Sequence, residues 1–320
     1  LSAEQPTLQP YDAIIENAIE ALEQGQTHYV DVPGIMPLRE ALAVYLKTLG
    51  LADYEQENVL VTAGIQECRF LAVQMIGEAI GCIAIPESVH PGVRKAAGVR
   101  RIEVNSLPVD EENGFLPTLQ GIRAALESSC SLVYLESPVR LTGAAFDPTA
   151  VTEIAGMVAE FDAAVIWDQG LAPWVHGSTF VSLGSEPGMA ERVAVLGEAW
   201  PGIGLESWFI GYVAANAGWF ESMRSQKQIM SICTSTPSQF AALKAAELYA
   251  DVHQAQVEGL GQAHQKALAL ARQIGATPLP GSTANLIAVK PADLKRTRDA
   301  LRQGGFLVAD GADFGVPGVL

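Results

Sequence analysis

Short apolar segments alternate with helical segments over the first two thirds of the chain, and this alternation constrains the fold more than any other feature. The apolar segments are four or five residues long, as buried strands are, and they occur at 58–62, 82–85, 101–104, 132–135, 164–167 and 192–196. Helical spacing marks the stretches between them, at 66–76, 91–97, 119–127 and 149–161. The sequence therefore predicts an α/β fold, with a mostly parallel sheet sandwiched by helices.

The last third of the chain predicts a second, smaller lobe. Residues 237–274 are almost wholly helical, and predicted strands at 285–289 and 306–309 flank a predicted helix at 292–303. A chain of 320 residues, 49% of them apolar, is longer than one compact domain usually is. We predict a larger sheet-bearing domain at 31–244. The segments 1–30 and 245–320 are predicted to form the smaller domain.

The charge balance argues against two classes of partner. The formal net charge is -16, from 36 acidic and 20 basic residues, and no basic cluster is visible. Binding to nucleic acid or to an anionic membrane requires such a cluster. The sequence has no run of 18 apolar residues and no basic segment followed by an apolar one at its start. We therefore expect a cytoplasmic protein that binds neither nucleic acid nor membrane.

The cysteines predict neither a metal site nor a disulfide. Cys68, Cys82, Cys130 and Cys233 lie far apart, with no C-x-x-C pair. Cysteines in this pattern are typically small buried hydrophobic residues in a reducing compartment. A dinucleotide site is also not indicated, because no G-x-G-x-x-G motif follows a predicted strand.

Seven short motifs occur in a fixed order along nearly the whole chain. They are Y…G…LRE at 29–40, TAGIQ at 62–66, IPESVHPG at 85–92, SPVRLTG at 137–143, DQGL at 168–171, GEAWPGIGLESWFIGYV at 197–213 and PSQFA at 237–241. In order, spacing and strand–helix context they resemble the class I/II aminotransferases, the fold-type-I pyridoxal phosphate enzymes. The segment LSAEQP at 1–6 resembles the start of that family. By the same resemblance, the sequence stops before the arginine that binds the substrate carboxylate, so the smaller domain is expected to be truncated.

The resemblance implies roles for the residues that match the family motifs. The cofactor-binding positions fall on Tyr29, Gly64, Ile65, Gln66, His90 and Asp168. The turn at 64–66 would bind a phosphate through backbone amides at a helix start. Asp168 would keep the pyridine nitrogen protonated and His90 would stack on the ring. Tyr29 would reach a phosphate in the neighbouring subunit, so the resemblance also implies a homodimer.

Other positions depart from the family pattern, and they do so together. The lysine that forms the aldimine falls on Pro201, and no lysine occurs between Lys95 and Lys227. The family's phosphate-binding arginine falls on Phe209, and its serine falls on Glu198. Its asparagine falls on Arg140, and its tyrosine falls on Leu171. A proline has no amine, and a carboxylate about 4 Å from a phosphate oxygen opposes binding by roughly 1 kcal/mol in water. These residues, with Trp200, indicate a remodelled cleft in which no cofactor is expected, although pyridoxal phosphate or pyridoxamine phosphate is possible by resemblance.

Several of these side chains have more than one interpretation. Arg140 is a new anion anchor, or it pairs with Glu198 or Asp168, and pairing is favoured because a buried charge needs a partner. Lys227, 26 positions after the missing lysine, is interpreted as a solvent-facing residue, and the alternative is that it replaces that lysine. The tryptophans near the cleft either pack in the core and at a dimer interface or line a new pocket; they are Trp167, Trp174, Trp200 and Trp208.

Three functions follow as hypotheses. The first is an aminotransferase-like dimer that has lost transamination and acts as a binding or regulatory protein. The second is an enzyme that uses pyridoxamine phosphate, or non-covalent pyridoxal phosphate, without the usual lysine. The third is a different small-molecule enzyme, in which acid–base work on an anionic substrate falls to Arg140, Glu198, His90 and Asp168.

Overall fold

The computed structural model describes residues 11–128 and 130–320. The LSAEQP segment at 1–6, which resembles the family's start, lies outside the described residues. The same is true of residues 7–10 of the predicted N-terminal segment.

Helices and strands alternate as the sequence predicts. The α-helices are α1 Asp12–Glu23, α2 Met36–Thr48, α3 Gly64–Ile80, α4 Pro91–Val99, α5 Leu119–Glu127, α6 Pro148–Glu160, α7 Ala217–Met230, α8 Thr236–Gln273 and α9 Leu294–Gln303. The strands are β1 Val59–Ala63, β2 Cys82–Pro86, β3 Glu103–Leu107, β4 Val109–Asp110, β5 Leu116–Pro117, β6 Leu132–Glu136, β7 Ala164–Asp168, β8 Val193–Glu198, β9 Ile210–Ala214, β10 Thr277–Pro278 and β11 Val289–Lys290.

A seven-stranded sheet in the order β1-β9-β8-β7-β6-β2-β3 forms the centre of the fold. The neighbours from β3 to β8 pair in parallel, and β9 runs antiparallel to both β8 and β1. The predicted α/β class with a mostly parallel sheet is therefore confirmed. Because only β9 is reversed, the carboxyl ends of the other six strands lie at one edge of the sheet.

Apolar side chains pack on both faces of the sheet. Alternate residues of β6 and β7, such as Tyr134 and Ile166, pack with α3 and α4. The residues between them, such as Val133 and Val165, pack on the opposite face with α2, α5, α6 and the start of α8. Burial on both faces explains why these strands appear in the sequence as continuous apolar runs.

Two predicted strands near the end of the chain are wrong. Of the segment 285–289, only Val289 belongs to a strand, and it pairs with Pro278 of β10 and with Leu320. The segment 306–309 is not a strand, and its apolar residues Phe306 and Leu307 are 48% and 65% exposed. An apolar run forms a strand only where a neighbouring strand and a core receive it.

The prediction for the cysteines is also wrong for one pair. Cys82 and Cys130 form a disulfide, with their Cα atoms 5.6 Å apart. They lie 48 residues apart in sequence, but β2 and β6 are neighbours in the sheet, so the fold brings them together. Cys68 is free and buried, and Cys233 is free and partly exposed.

The long helix α8 runs without interruption through the predicted domain boundary at residues 244 and 245. Helix α1 packs against it, and the Asn17 side-chain amide donates a hydrogen bond to the Phe240 carbonyl at 2.7 Å. The division into two domains stays a prediction. Within 11–128 and 130–320, no helix combines the length and the apolar character needed to span a membrane.

Candidate functional site

Most of the predicted site residues lie at the edge of the sheet where the parallel strands end. β1, β6, β7 and β8 end there with Ala63, Glu136, Asp168 and Glu198, and the reversed strand β9 begins there just after Phe209. The carboxyl edge of the parallel strands is where open α/β sheets bind ligands. This edge is therefore the candidate site.

Both carboxylate oxygens of Asp168 accept hydrogen bonds from this chain. Oδ2 accepts from Arg69 Nε on α3 and from the Tyr134 hydroxyl on β6, both at 2.7 Å. Oδ1 accepts from the backbone N–H of Gly170 at 3.0 Å. Asp168 is 3% exposed and Arg69 is 2% exposed. They form a buried ion pair, in which each charge compensates the other for its lost hydration.

The groups of this cluster determine one another's charge. Burial raises the pKa of Asp168, but the positive charges of Arg69 and Arg140 outweigh burial and leave that pKa below its ordinary value. Burial also disfavours the charged form of Arg69, but Asp168 outweighs it, so the pKa of Arg69 is raised. Burial, and then Asp168, raise the pKa of the Tyr134 phenol. At neutral pH, Asp168 and Arg69 are therefore charged and Tyr134 is a neutral donor.

Glu136 connects two loops at the edge of the sheet. Its Oε1 accepts the backbone N–H of His90 at 2.9 Å, and its Oε2 accepts the backbone N–H of Arg140 at 3.0 Å. Burial, and then the neighbouring Asp168, raise the pKa of Glu136 above its ordinary value. Glu136 therefore holds the loop after β2 and the loop after β6 in a fixed relation.

His90 caps helix α4. Its Nδ1 accepts the backbone N–H of Gly92 at 3.0 Å, and its Nε2 lies 3.0 Å from the side-chain nitrogen of Gln66. Its ring packs edge-on against Phe314, with centroids 6.1 Å apart. Burial, followed by the charge of Arg69, lowers the pKa of His90 to about 3, so its ring is neutral at pH 7. The stacking role stays a prediction.

Arg140 forms an ion pair with Glu198, which is one of the two partners, Glu198 and Asp168, that the sequence offered for it. Arg140 Nη2 lies 3.0 Å from Glu198 Oε1, and the side chains are 14% and 24% exposed. A Cβ built on Gly170 would lie 3.3 Å from Asp168 Oδ1 and 3.8 Å from Glu198 Oε1. Glu198 is therefore next to Asp168, and Arg140 pairs with Glu198. Leu171, at the family's tyrosine position, is buried.

The turn that begins α3 is covered by Phe209. Gly64 has a φ of 71°, in the left-handed region that favours glycine. A Cβ built on Gly64 would lie 3.4 Å from Phe209 Cδ1, and one built on Gly211 would lie 2.9 Å from the backbone nitrogen of Ile65. Strand β9 can approach the turn this closely because residue 211 has no side chain. Phe209 is 63% exposed and also has a positive φ.

Helix α3 also has a carboxylate at its start. Glu67 Oε2 accepts hydrogen bonds from the backbone N–H of Ala63 and from Lys227 Nζ, the latter at 2.8 Å. Glu67 Oε1 accepts from Ser231 Oγ at 2.8 Å. The Lys227 side chain is 0% exposed, so the interpretation of Lys227 as solvent-facing is wrong. Glu67 lies 160 residues away in sequence, and no sequence pattern indicates this pairing.

The loop between β8 and β9 is largely buried. Pro201, at the lysine position, is buried, and so is Trp200, whose ring centroid lies 6.1 Å from that of Tyr45. Trp167 and Trp174 are also buried, which favours core packing for these tryptophans. A cavity of about 370 Å³ opens beside the loop, and it is lined by Ala63, Ser207, Trp208, Phe209, Thr234, Ser235 and Ser238.

Tyr29 does not join this cluster within one chain. It lies on the loop before α2 and is 80% exposed. Among the described residues, no group of three or more histidine, cysteine, aspartate or glutamate side chains is arranged to hold a metal ion.

Four residues of the site were not predicted from the sequence; they are Glu67, Arg69, Tyr134 and Glu136. A signal existed for Arg69, because it stands among apolar positions of α3 such as Cys68 and Ala72, which are buried. A charged residue on an apolar helix face requires a buried partner. The sequence could not say that this partner is Asp168.

Comparisons with known proteins agree with this architecture. The family profile described as "Aminotransferase class I and II" matches residues 1–320. An aspartate/prephenate aminotransferase from Thermus thermophilus is 26% identical, with 98% of this chain and 83% of the relative aligned. An aspartate aminotransferase from Pyrococcus horikoshii is 31% identical, with 51% of this chain and 41% of the relative aligned. For the first three curated relatives the aligned region spans only 60%, 41% and 55% of their lengths.

Solved structures show the same fold. A double mutant of the Thermus thermophilus aspartate aminotransferase superposes with a TM-score of 0.89 and 22% identity, covering 100% of this chain and 85% of that one. An aromatic aminotransferase from Pyrococcus horikoshii superposes with a TM-score of 0.89 and 23% identity, covering 98% and 87%. At this level of identity the likeness establishes the fold alone.

Proposed function

We propose that this chain, which belongs to the class I and II aminotransferase family, is a binding or regulatory protein that does not transaminate. The observation that carries the proposal is Pro201. The family's lysine forms the aldimine and moves the proton at the substrate's α-carbon, and a buried proline supplies no amine for either step. Lys227 does not replace it, because its amine is buried and already bonded to Glu67 and Ser231.

The other residues of the cleft do not fit pyridoxal phosphate either. Such a cofactor would need a free carboxylate for its ring nitrogen and cationic or amide donors for its phosphate. Asp168 is bonded to Arg69 and Tyr134, and Glu198 places a second carboxylate beside it. Phe209 stands at the family's phosphate arginine and covers the turn at Gly64. We infer that the cleft no longer selects this cofactor.

A second candidate function is that of an enzyme using pyridoxamine phosphate without a covalent link. Two observations favour it. At the start of α3, Gly64 has the left-handed backbone conformation that glycine favours. Asp168 lies at the end of β7, at the family's position for the ring-nitrogen partner. Binding of that cofactor would then rely on Asp168 releasing one of its present partners.

An absorbance titration tests the proposal. Purified protein is titrated with pyridoxal phosphate up to 1 mM, and the spectrum is recorded before and after borohydride reduction. We expect no saturable band, no covalent adduct by mass spectrometry and no transamination of any of the twenty amino acids. A band that borohydride fixes would contradict the proposal. Lys227→Met is the matched control, because loss of that band in this variant would identify Lys227 as the substitute lysine.

Pyridoxamine phosphate is titrated in parallel, and binding is followed by tryptophan fluorescence. Saturable binding without any covalent adduct would support the second candidate, and transamination by that complex would establish it. If the protein is a binding or regulatory protein that does not transaminate, we expect it to bind neither compound.

A further inference from the structure

Helix α3 places two opposite charges close to the two groups that would hold a cofactor of this family, which are Asp168 and the turn at the start of the helix. Glu67 and Arg69 are two residues apart, so they project from different sides of the helix. Glu67 is directed toward α7 and Arg69 toward the sheet, as their contacts with Lys227 and Asp168 show.

Arg69 provides a cation where a protonated ring nitrogen would otherwise be needed. Asp168 lies at the end of a central strand and is almost fully buried. Without a cationic neighbour, such a carboxylate would be costly to keep ionised. Arg69 Nε and the Tyr134 hydroxyl meet this need from inside the chain, on the same oxygen atom.

Glu67 provides an anion at the start of the helix whose first turn would bind a phosphate. A helix start attracts negative charge because its first amides and the helix dipole point toward it. The Glu67 carboxylate bonds the N–H of Ala63, the residue just before the helix, and is held by Lys227 and Ser231. Ala63 also lines the cavity beside Phe209, so this carboxylate is hydrogen-bonded to a residue that lines the cavity.

We propose that Glu67 and Arg69 are an internal substitute for the two charged ends of the cofactor, a carboxylate for its phosphate and a guanidinium for its pyridinium. The inference rests on the proposed function, and it explains how the cleft remains stable without a bound group. The fold of this chain would then need no cofactor for its electrostatic balance.

The test removes the internal charges and offers pyridoxamine phosphate, which carries both charges and forms no aldimine with a lysine. The variants are Arg69→Met, Glu67→Gln and the double variant. Melting temperature and fluorescence titration are measured with and without 1 mM pyridoxamine phosphate. We expect no effect on the wild type. The melting temperature of the double variant should fall by about 5–10 °C, because each remaining buried charge has lost its partner. Pyridoxamine phosphate should raise it again by several degrees. Arg69→Met should show a loss and a recovery between those of the wild type and the double variant.

The matched control is Glu78→Gln with Arg100→Met, an ion pair that also involves α3 but is partly exposed to solvent. This double variant should show neither the large loss nor the gain in binding. Inorganic phosphate alone should stabilise Glu67→Gln less than pyridoxamine phosphate stabilises the double variant, because phosphate supplies only one of the two charges.

The outcomes separate this inference from the proposed function. Saturable binding of pyridoxamine phosphate by the wild type would overturn this inference, and transamination by that complex would overturn the proposed function as well. A folded double variant that gains no binding would overturn the substitution and leave the proposed function intact. If the double variant does not fold, it is refolded with 10 mM pyridoxamine phosphate. Recovery of its native circular dichroism supports the inference, and no recovery overturns it.

Discussion

His90 shows how the fold determines the charge of a single residue. Its ring is 7% exposed and accepts the Gly92 N–H as the cap of α4. Burial and the charges of Arg69 and Arg140 lower its pKa to about 3, against about 6.5 in an unfolded chain. Between these values the unfolded chain binds the extra proton and the folded chain does not. The stabilisation is therefore complete above pH 6.5 and is lost as the pH falls toward 3.

This difference predicts a pH effect on stability. At pH 5 the wild type should be about 2 kcal/mol less stable than at pH 7 through His90 alone, since each pKa unit corresponds to about 1.4 kcal/mol. His90→Asn keeps a side chain that caps helices well but does not titrate there. Urea unfolding at both pH values should show a smaller loss for the variant than for the wild type. Equal losses would mean that folded His90 binds a proton at pH 5 as readily as the unfolded chain does.

At the scale of single residues, charge pairing could be predicted only where motifs already placed both partners. The resemblance put Arg140 and Glu198 in one cleft, and their pairing followed from the cost of a lone buried charge. Arg69 belongs to no motif, and its partner Asp168 lies 99 residues away. Finding that contact requires knowing that α3 covers the face of β7 from which Asp168 projects.

At the scale of elements, the sequence predicted the central strands well and the terminal ones poorly. The strands β2, β6 and β7 have cores on both faces, and this burial selects the apolar runs seen in the sequence. The short strand β11 depends instead on β10 and on hydrogen bonds with Leu320. Such a strand is set by tertiary contacts, so its own two residues carry no pattern.

The disulfide between Cys82 and Cys130 links two of these elements and predicts a redox effect. It joins the start of β2 to the residues just before β6. Closing a loop of this length should stabilise the fold by about 2–4 kcal/mol, mainly by restricting the unfolded chain. Peptide mapping without reductant should recover the linked peptides. Thiol reductant should then lower the free energy of unfolding of the wild type.

The control for this effect is the variant with both Cys82→Ser and Cys130→Ser. Its stability should equal that of the reduced wild type within the cost of one buried and one partly buried hydroxyl, and reductant should not change it further. If the wild type were equally stable with and without reductant, the linkage would be absent or energetically neutral.

At the scale of the whole molecule, the site has one predicted member that a single chain does not bring to it. Tyr29 is 80% exposed, and the Thr236 hydroxyl donates to the His28 carbonyl, which fixes the Tyr29 loop beside the start of α8. Ile229 lies at the end of α7, seven residues before the start of α8, and is 83% exposed. Large apolar side chains this exposed often mark an interface. We predict that two copies associate through this region, with Tyr29 directed toward the partner's cleft.

The predicted dimer has a mass of twice 33.9 kDa, which sedimentation over a range of concentrations will measure. Removing a central apolar or aromatic side chain from an interface typically costs 1–2 kcal/mol, a rise in Kd of about tenfold. Tyr29→Ala and Ile229→Ala should each weaken the dimer by about this factor.

Val99→Ala is the matched control, because Val99 is 66% exposed at the end of α4, away from the candidate site. A wild type that stays monomeric at 50 µM, or a control that weakens the dimer equally, would contradict the assignment. The assignment of Tyr29 to a cleft shared by two chains requires both results: Tyr29→Ala weakens the dimer, and Val99→Ala leaves it unchanged.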